Sequence, residues 1–260
     1  MYRVAIVKTT SCSGCINELV YCLTSDPQMI KIYRVDFSPE FVDGDIPDEI
    51  DILFVEGSIS NNAQEKLLVD LRKRTRIAIA IGTCAVMGGI QSLRSGNSID
   101  DVKSYVYPEP NLVDVYSDVK PVDQVIQIDL SFPGCPVNSL AIASFLKKFS
   151  LGGLPIPIYE SVCGECKRKN IACVMVSKGM ACLGPITVNG CGAICPSFNR
   201  GCYGCYGIKS YDIDAANFKE FINVLLGLGM DRSCILTLVK GYSFKLLKNS
   251  LVMSYREDFD

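Results

Sequence analysis

Eight cysteines between residues 163 and 205 constrain this chain more than any other feature. Their spacing is C-x2-C-x6-C-x8-C-x8-C-x3-C-x6-C-x2-C, and eight glycines are interspersed between residues 158 and 210. Such a stretch has little hydrophobic periodicity and cannot bury enough apolar surface to fold alone, so bonds to a ligand are expected to hold it together. The chain contains no histidine, so sulfur is the donor at hand. Eight thiols divide into two sets of four. They admit either zinc in all-cysteine tetrahedral sites or iron–sulfur cubanes.

The first 150 residues read differently. Strand patterns at Arg3–Lys8, Ile30–Val35, Asp51–Val55, Arg76–Ile81 and Val125–Leu130 alternate with helical patterns at Ile16–Thr24, Ala63–Arg74 and Asn138–Phe149, the last capped by Asn138. Alternation of this kind predicts βαβ units, a parallel sheet covered on both faces, and a doubly wound α/β domain of flavodoxin type over 1–150. Leu151–Pro157 (LGGLPIP) reads as a linker. Residues 151–260 form the second unit, an irregular ferredoxin-like domain in which a helical pattern returns from Asp214.

Four more cysteines sit in three short stretches, TTSCSGC, IGTCAVMGG and FPGCP, each directly after a predicted strand. In open α/β sheets ligands bind beyond the carboxyl ends of the strands, so Cys12, Cys15, Cys84 and Cys135 can meet at one point. A thioredoxin-like pair explains Cys12 and Cys15 alone. It gives no reason for cysteines at two further strand ends. The pairs Cys135-Pro136 and Cys195-Pro196 resemble the Cys-Pro ending of ferredoxin motifs. Three sites in one chain suit an electron relay better than three structural zincs. Cys22 and the isolated Cys234 read as buried apolar residues.

In order and spacing, CSGC, VEG at Val55–Gly57, GTCAVMGG, PGCP and the eight-cysteine unit resemble the small, electron-transferring subunit of nickel–iron hydrogenases, over nearly the whole chain. The all-cysteine second unit is similar to the cytoplasmic, cofactor-reducing group of sulfhydrogenase and deazaflavin-reducing type. The resemblance implies three [4Fe-4S] clusters. Cys12, Cys15, Cys84 and Cys135 match the proximal ligands. Cys191, Cys195, Cys202 and Cys205 match the medial set, and Cys163, Cys166, Cys173 and Cys182 the distal one. Cys163 stands where exported relatives have histidine, and one cysteine could be exchanged between the last two sets. The implied partners are a large subunit carrying the nickel–iron site and a flavin- or iron–sulfur-containing cofactor-reducing subunit. Glu18 and Glu56 are expected near the large-subunit interface, in a hydrogen-bonding or proton-relay role. Positions Gly14 and Gly89 match those where oxygen-tolerant relatives add cysteines.

Two other readings stand beside this one: a zinc-structured interaction module, and a subunit of a quinone-reductase-like complex, which shares the first domain but usually lacks the second. Net charge is −2, which gives nucleic-acid binding no electrostatic support. The run Arg72–Arg76 reads as a solvated helix C-terminus. No apolar run reaches the length of a membrane span, and the strand pattern begins at once after Met1, so a cytoplasmic location is expected. Lys167-Arg168-Lys169, beside Cys166, is a candidate cationic patch for an acidic electron partner.

Overall fold

The computed structural model describes residues 1–154, 160–209 and 215–248. In chain order the elements are β1 (Tyr2–Lys8), α1 (Gly14–Ser25), α2 (Pro27–Ile32), β2 (Tyr33–Phe37), β3 (Ile50–Glu56), α3 (Asn62–Lys73), β4 (Thr75–Ile81), α4 (Gly82–Met87), α5 (Ile99–Val106), β5 (Leu130–Phe132) and α6 (Ser139–Ser150). The second part contributes α7 (Val162–Arg168), α8 (Val174–Lys178), α9 (Ile194–Ser197), α10 (Ala215–Gly227) and α11 (Arg232–Lys248).

The strands form one parallel sheet in the order β2-β1-β3-β4-β5, the flavodoxin order. Side chains alternate across it. Val4, Ile6, Ile52, Phe54, Ile79 and Ile81 face α1 and α6 and pack with Ile16, Leu19, Ile142 and Phe145. Ala5, Val7, Leu53, Val55 and Ala80 face the other way, onto Leu68 and Leu71 of α3. Burial on both faces is why these strands read as continuous apolar runs. Asn138 caps α6 as its sequence position suggests, its side chain accepting from Leu140 N at 2.9 Å.

Two strand expectations shift. Ile30–Ile32 is helical, because Asp26 accepts from Gln28 N and Pro27 starts a turn that runs to Ile32; only from Tyr33 does the chain extend. The apolar alternation at Val125–Leu130 is mostly loop. A 3₁₀ turn at Val122–Gln124 feeds Val122 and Ile126 into the core, and the Arg72 guanidinium donates to Gln127 O at 2.9 Å. Pairing with β4 starts at Asp129, whose N–H donates to Ala78 O at 2.9 Å. Arg72 and Lys73 do lie in the last turn of α3.

Residues 160–209 are short helices and turns around a small cluster of Val162, Val174, Cys182, Ala193 and Cys202. Leu183, Ile186 and Ile208 then pack onto Phe218, Ile222 and Leu225 of α10 and Ile235 and Val239 of α11. Backbone at Ser243 leaves the helical region inside α11, and its Oγ accepts from Ile208 N at 2.7 Å. Cys234 is exposed, not buried, because Ile235 and Val239, one turn apart, take the core-facing stripe of α11. Residues 155–157 of the linker stretch and Asp214 lie outside the described residues. Among the described residues no helix is long and apolar enough to cross a membrane.

Candidate metal centres

The order 2-1-3-4-5 puts its switch point between β1 and β3, and the chain there carries the first cysteines. Cys12 and Cys15 bracket the start of α1, with Ser13 in the left-handed region at φ 65°. Glu56, at the end of β3, is only 2% exposed. Its carboxylate accepts from Cys15 N at 3.1 Å and Ile16 N at 3.2 Å. It therefore caps α1 from below and fixes the cysteine loop. Burial pushes its carboxyl above the ordinary range, against the pull of those N–H donors.

Cys84 lies in α4 at the end of β4, and Cys135 follows β5. The two strand ends are laced together. Thr83 N donates to Gly134 O at 2.8 Å, and Gly134 N donates to Thr83 Oγ1 at 3.0 Å. The four thiols are electrostatic neighbours: Cys84 feels Cys135 and Cys12, and Cys15 feels Cys84 and Cys135. Two glycines are required by closeness as well as by backbone. Gly82 (φ 85°) and Gly89 (φ 70°) lie so near Cys15 and Cys84 that an added Cβ would collide with each sulfur. A cysteine at Gly89 is thereby disfavoured on both counts.

Beyond the sheet the eight cysteines from Cys163 to Cys205 fall into two neighbourhoods. Cys166 feels Cys163, Cys182 and Cys173. Cys205 feels Cys191 and Cys195. The groups also lie within electrostatic range of one another. Cys205 is a neighbour of Cys135, whose backbone N–H bonds to its thiol, and Cys166 is a neighbour of Cys191. Cys202 borders both second-part groups, feeling Cys182 and Cys205, and Cys202 N donates to Cys182 Sγ at 3.1 Å.

Burial pushes the Cys15 and Cys202 thiols up to about 12, and those of Cys84, Cys166 and Cys205 up to about 11. Such groups stay neutral unless a cation compensates them. Backbone N–H groups already point at sulfur: Val137 N to Cys15 Sγ at 3.4 Å and Gly204 N to Cys202 Sγ at 3.4 Å. Thiols in neighbouring fours, N–H groups aimed at sulfur and glycines that clear the space fit iron–sulfur ligation. Among the described residues no three Cys, Asp or Glu side chains close around a single-ion position. All fourteen cysteines are free of disulfides.

Other expected residues divide. Cys22 is buried on α1. Glu18 is half-buried on the same helix. The Lys167-Arg168-Lys169 run is less available than its sequence suggests: Arg168 pairs with Glu160, and Lys169 Nζ donates to Gly192 O. Three residues escaped sequence reading. Thr83 Oγ1 donates to Cys205 O at 2.6 Å, joining the sheet edge to the second part. Tyr206 is buried with its ring against Gly134 and Gly190, between the same two regions. Glu165 is buried within the CGEC stretch, where an acid between two cysteines was the available signal.

Comparison with known proteins places this arrangement. The family model described as "NADH ubiquinone oxidoreductase, 20 Kd subunit" matches residues 12–149, the part that carries Cys12, Cys15, Cys84 and Cys135. The chain is 29% identical over 224 residues to sulfhydrogenase 2 subunit delta of Pyrococcus furiosus, covering 86% of this chain and 93% of that protein. It is 31% identical over 259 residues to a vhu subunit of the F420-non-reducing hydrogenase of Methanocaldococcus jannaschii, covering 87% and 88%. A chain of the NAD+-reducing [NiFe]-hydrogenase in the H2-reduced state superimposes with TM-score 0.54 at 25% identity, covering 61% of this chain and 96% of that one. This chain belongs to the family of the 20 kDa subunit of NADH ubiquinone oxidoreductase and, within it, to the small subunits of hydrogenase complexes.

Proposed function

We propose that this chain is the iron–sulfur relay of a nickel–iron hydrogenase, carrying electrons between a large subunit and a cofactor-reducing partner. The observation that supports it best is an unbroken succession of neighbouring thiols. It runs from Cys12, Cys84 and Cys135 through Cys205 and Cys191 to Cys166, Cys163 and Cys173. When bound, three [4Fe-4S] clusters would supply one-electron storage and transfer along that line.

In this reading Cys12, Cys15, Cys84 and Cys135 hold the proximal cluster, Cys191, Cys195, Cys202 and Cys205 the medial, and Cys163, Cys166, Cys173 and Cys182 the distal. Each of these twelve thiols is a ligand, and none is a nucleophile. Gly82 and Gly89 keep Cβ atoms away from the proximal sulfurs. Val137 and Gly204 donate N–H bonds that stabilise thiolate charge. Exposed Cys12 and Cys135 put the proximal set at the open sheet edge, where a large subunit would cover it. Glu56 orients the loop of Cys12 and Cys15 at that edge. Fourteen unpaired cysteines suit a reducing, cytoplasmic setting.

The test uses the intact complex purified without oxygen. Replacing Cys163 and Cys166 together by serine should leave hydrogen isotope exchange, which needs no electron transfer, within about twofold. Hydrogen-driven reduction of the natural partner should fall at least about tenfold. Equal loss of both activities, or loss of neither, would contradict the relay.

A further inference from the structure

We infer that Glu165 is the positioning residue for Cys191, and that its charge lowers the potential of the centre Cys191 ligates. This rests on the cluster assignment above. Glu165 belongs to α7, between Cys163 and Cys166, yet its carboxylate reaches out of that set. Oε1 accepts from Gly190 N at 2.9 Å and from Gly192 N at 3.1 Å, and Oε2 accepts from Ala193 N at 3.0 Å. Three backbone N–H groups around Cys191 are thus tied to one side chain, on a residue that is only 8% exposed.

The turn needs such a tie. Gly190 has φ 126°, Gly192 φ 68° and Ala193 φ 52°, so three of its four residues occupy the left-handed side, including one with a Cβ. Lys169, one helical turn after Glu165, adds a bond from its ammonium to Gly192 O. Together the two side chains clamp both polarities of the turn's backbone. Cys191 Sγ itself lies 3.6 Å from Glu165 Oε2. With Cys191 serving as a thiolate ligand, a carboxylate at that distance opposes the addition of an electron to the centre. Ala193 N–H is shared between Glu165 and the Cys191 sulfur, while the N–H groups at 190 and 192, being occupied by Glu165, are withheld from the cluster sulfurs. That removes a factor that would raise the potential. The position also bridges the junction, since Cys166 and Cys191 are electrostatic neighbours.

The experiment is an EPR-monitored redox titration of the anaerobic holo-complex with Glu165→Gln and Glu165→Asp, with iron counted in each. Glu165→Gln should raise the midpoint potential of one centre by about tenfold in its oxidised-to-reduced ratio, 59 mV for one electron. Glu165→Asp, which keeps the charge, should stay within about twofold of wild type. Should Gln fail to hold the centre, iron should fall by about four of twelve while the other two signals persist. Unchanged potentials in Glu165→Gln, or loss of all three centres, would overturn the inference. A wild-type complex with far fewer than about twelve irons would instead reject the three-cluster assignment itself, whatever the variants do.

Discussion

The two parts of this molecule reach order by different routes. In residues 1–150 the side chains of five strands fill both faces of a sheet, with Phe54, Leu53, Ile79 and Phe145 essentially excluded from solvent. In residues 160–209 the core has shrunk to a few residues, and cysteines themselves, Cys182 and Cys202, are among its buried members. The first region can fold on hydrophobic burial and then present a site. In the second, the candidate ligands are themselves members of the core, so on the proposed reading ligand bonds and folding would be one equilibrium.

The largest effect should come from taking iron away. Chelation of the reduced protein should collapse hydrogen-exchange protection across 160–209, a loss on the order of 10 kcal/mol by analogy with structural metal sites. Protection in β1, β3 and β4 should survive. Joint unfolding of both regions would break the comparison. The reverse perturbation is Phe54→Ala, which removes a wholly buried ring from the sheet and should cost about 3–5 kcal/mol. Denaturant unfolding of the holo-protein should show that cost while the iron held by 160–209 stays in place until the sheet melts.

A smaller effect isolates one ligand. Cys195→Pro should leave the fold intact and remove about one iron of twelve, giving a three-iron centre at higher potential. Hydrogen evolution should slow more than uptake, read by assaying both directions on one preparation. A full iron complement in that variant would mean that Cys195 is not a ligand.

The smallest effect belongs to the sheet domain's surface. Lys120 holds the Glu65 carboxyl below its ordinary 4.5 through a 2.8 Å ion pair, with Tyr116 donating to the same oxygen at 3.0 Å. A depressed carboxyl contributes stability above its unfolded value and loses it as pH falls through the folded one. Glu65→Gln should therefore cost about 0.2–1 kcal/mol at neutral pH. The difference from wild type should vanish as pH drops below 4.5. Urea titrations at both pH values check it.

Much of the first region was legible because burial on both faces writes itself as apolar runs, and because Asn138 carries its own capping chemistry. The helix at Ile30–Ile32 was not, since Asp26-Pro27 sets a helical start that overrides the β-branched residues after it. Val125–Leu130 alternates like a strand but packs as a loop, a difference decided by Arg72 and Pro121 from outside the stretch. Cys234 looked like a core residue only because one residue fixes no helix face. Candidate ligands could be read from spacing. Glu165, Thr83 and Tyr206 could not, because their roles lie in contacts between residues distant in sequence.

The central claim, that twelve of the cysteines hold a three-cluster relay, is tested most directly by iron and zinc analysis of the complex purified without oxygen, with EPR of the oxidised and hydrogen-reduced states. The account predicts about twelve irons per chain, no stoichiometric zinc, no stoichiometric three-iron signal, and reduction of all centres by hydrogen. About four irons, or zinc in stoichiometric amount, would contradict it.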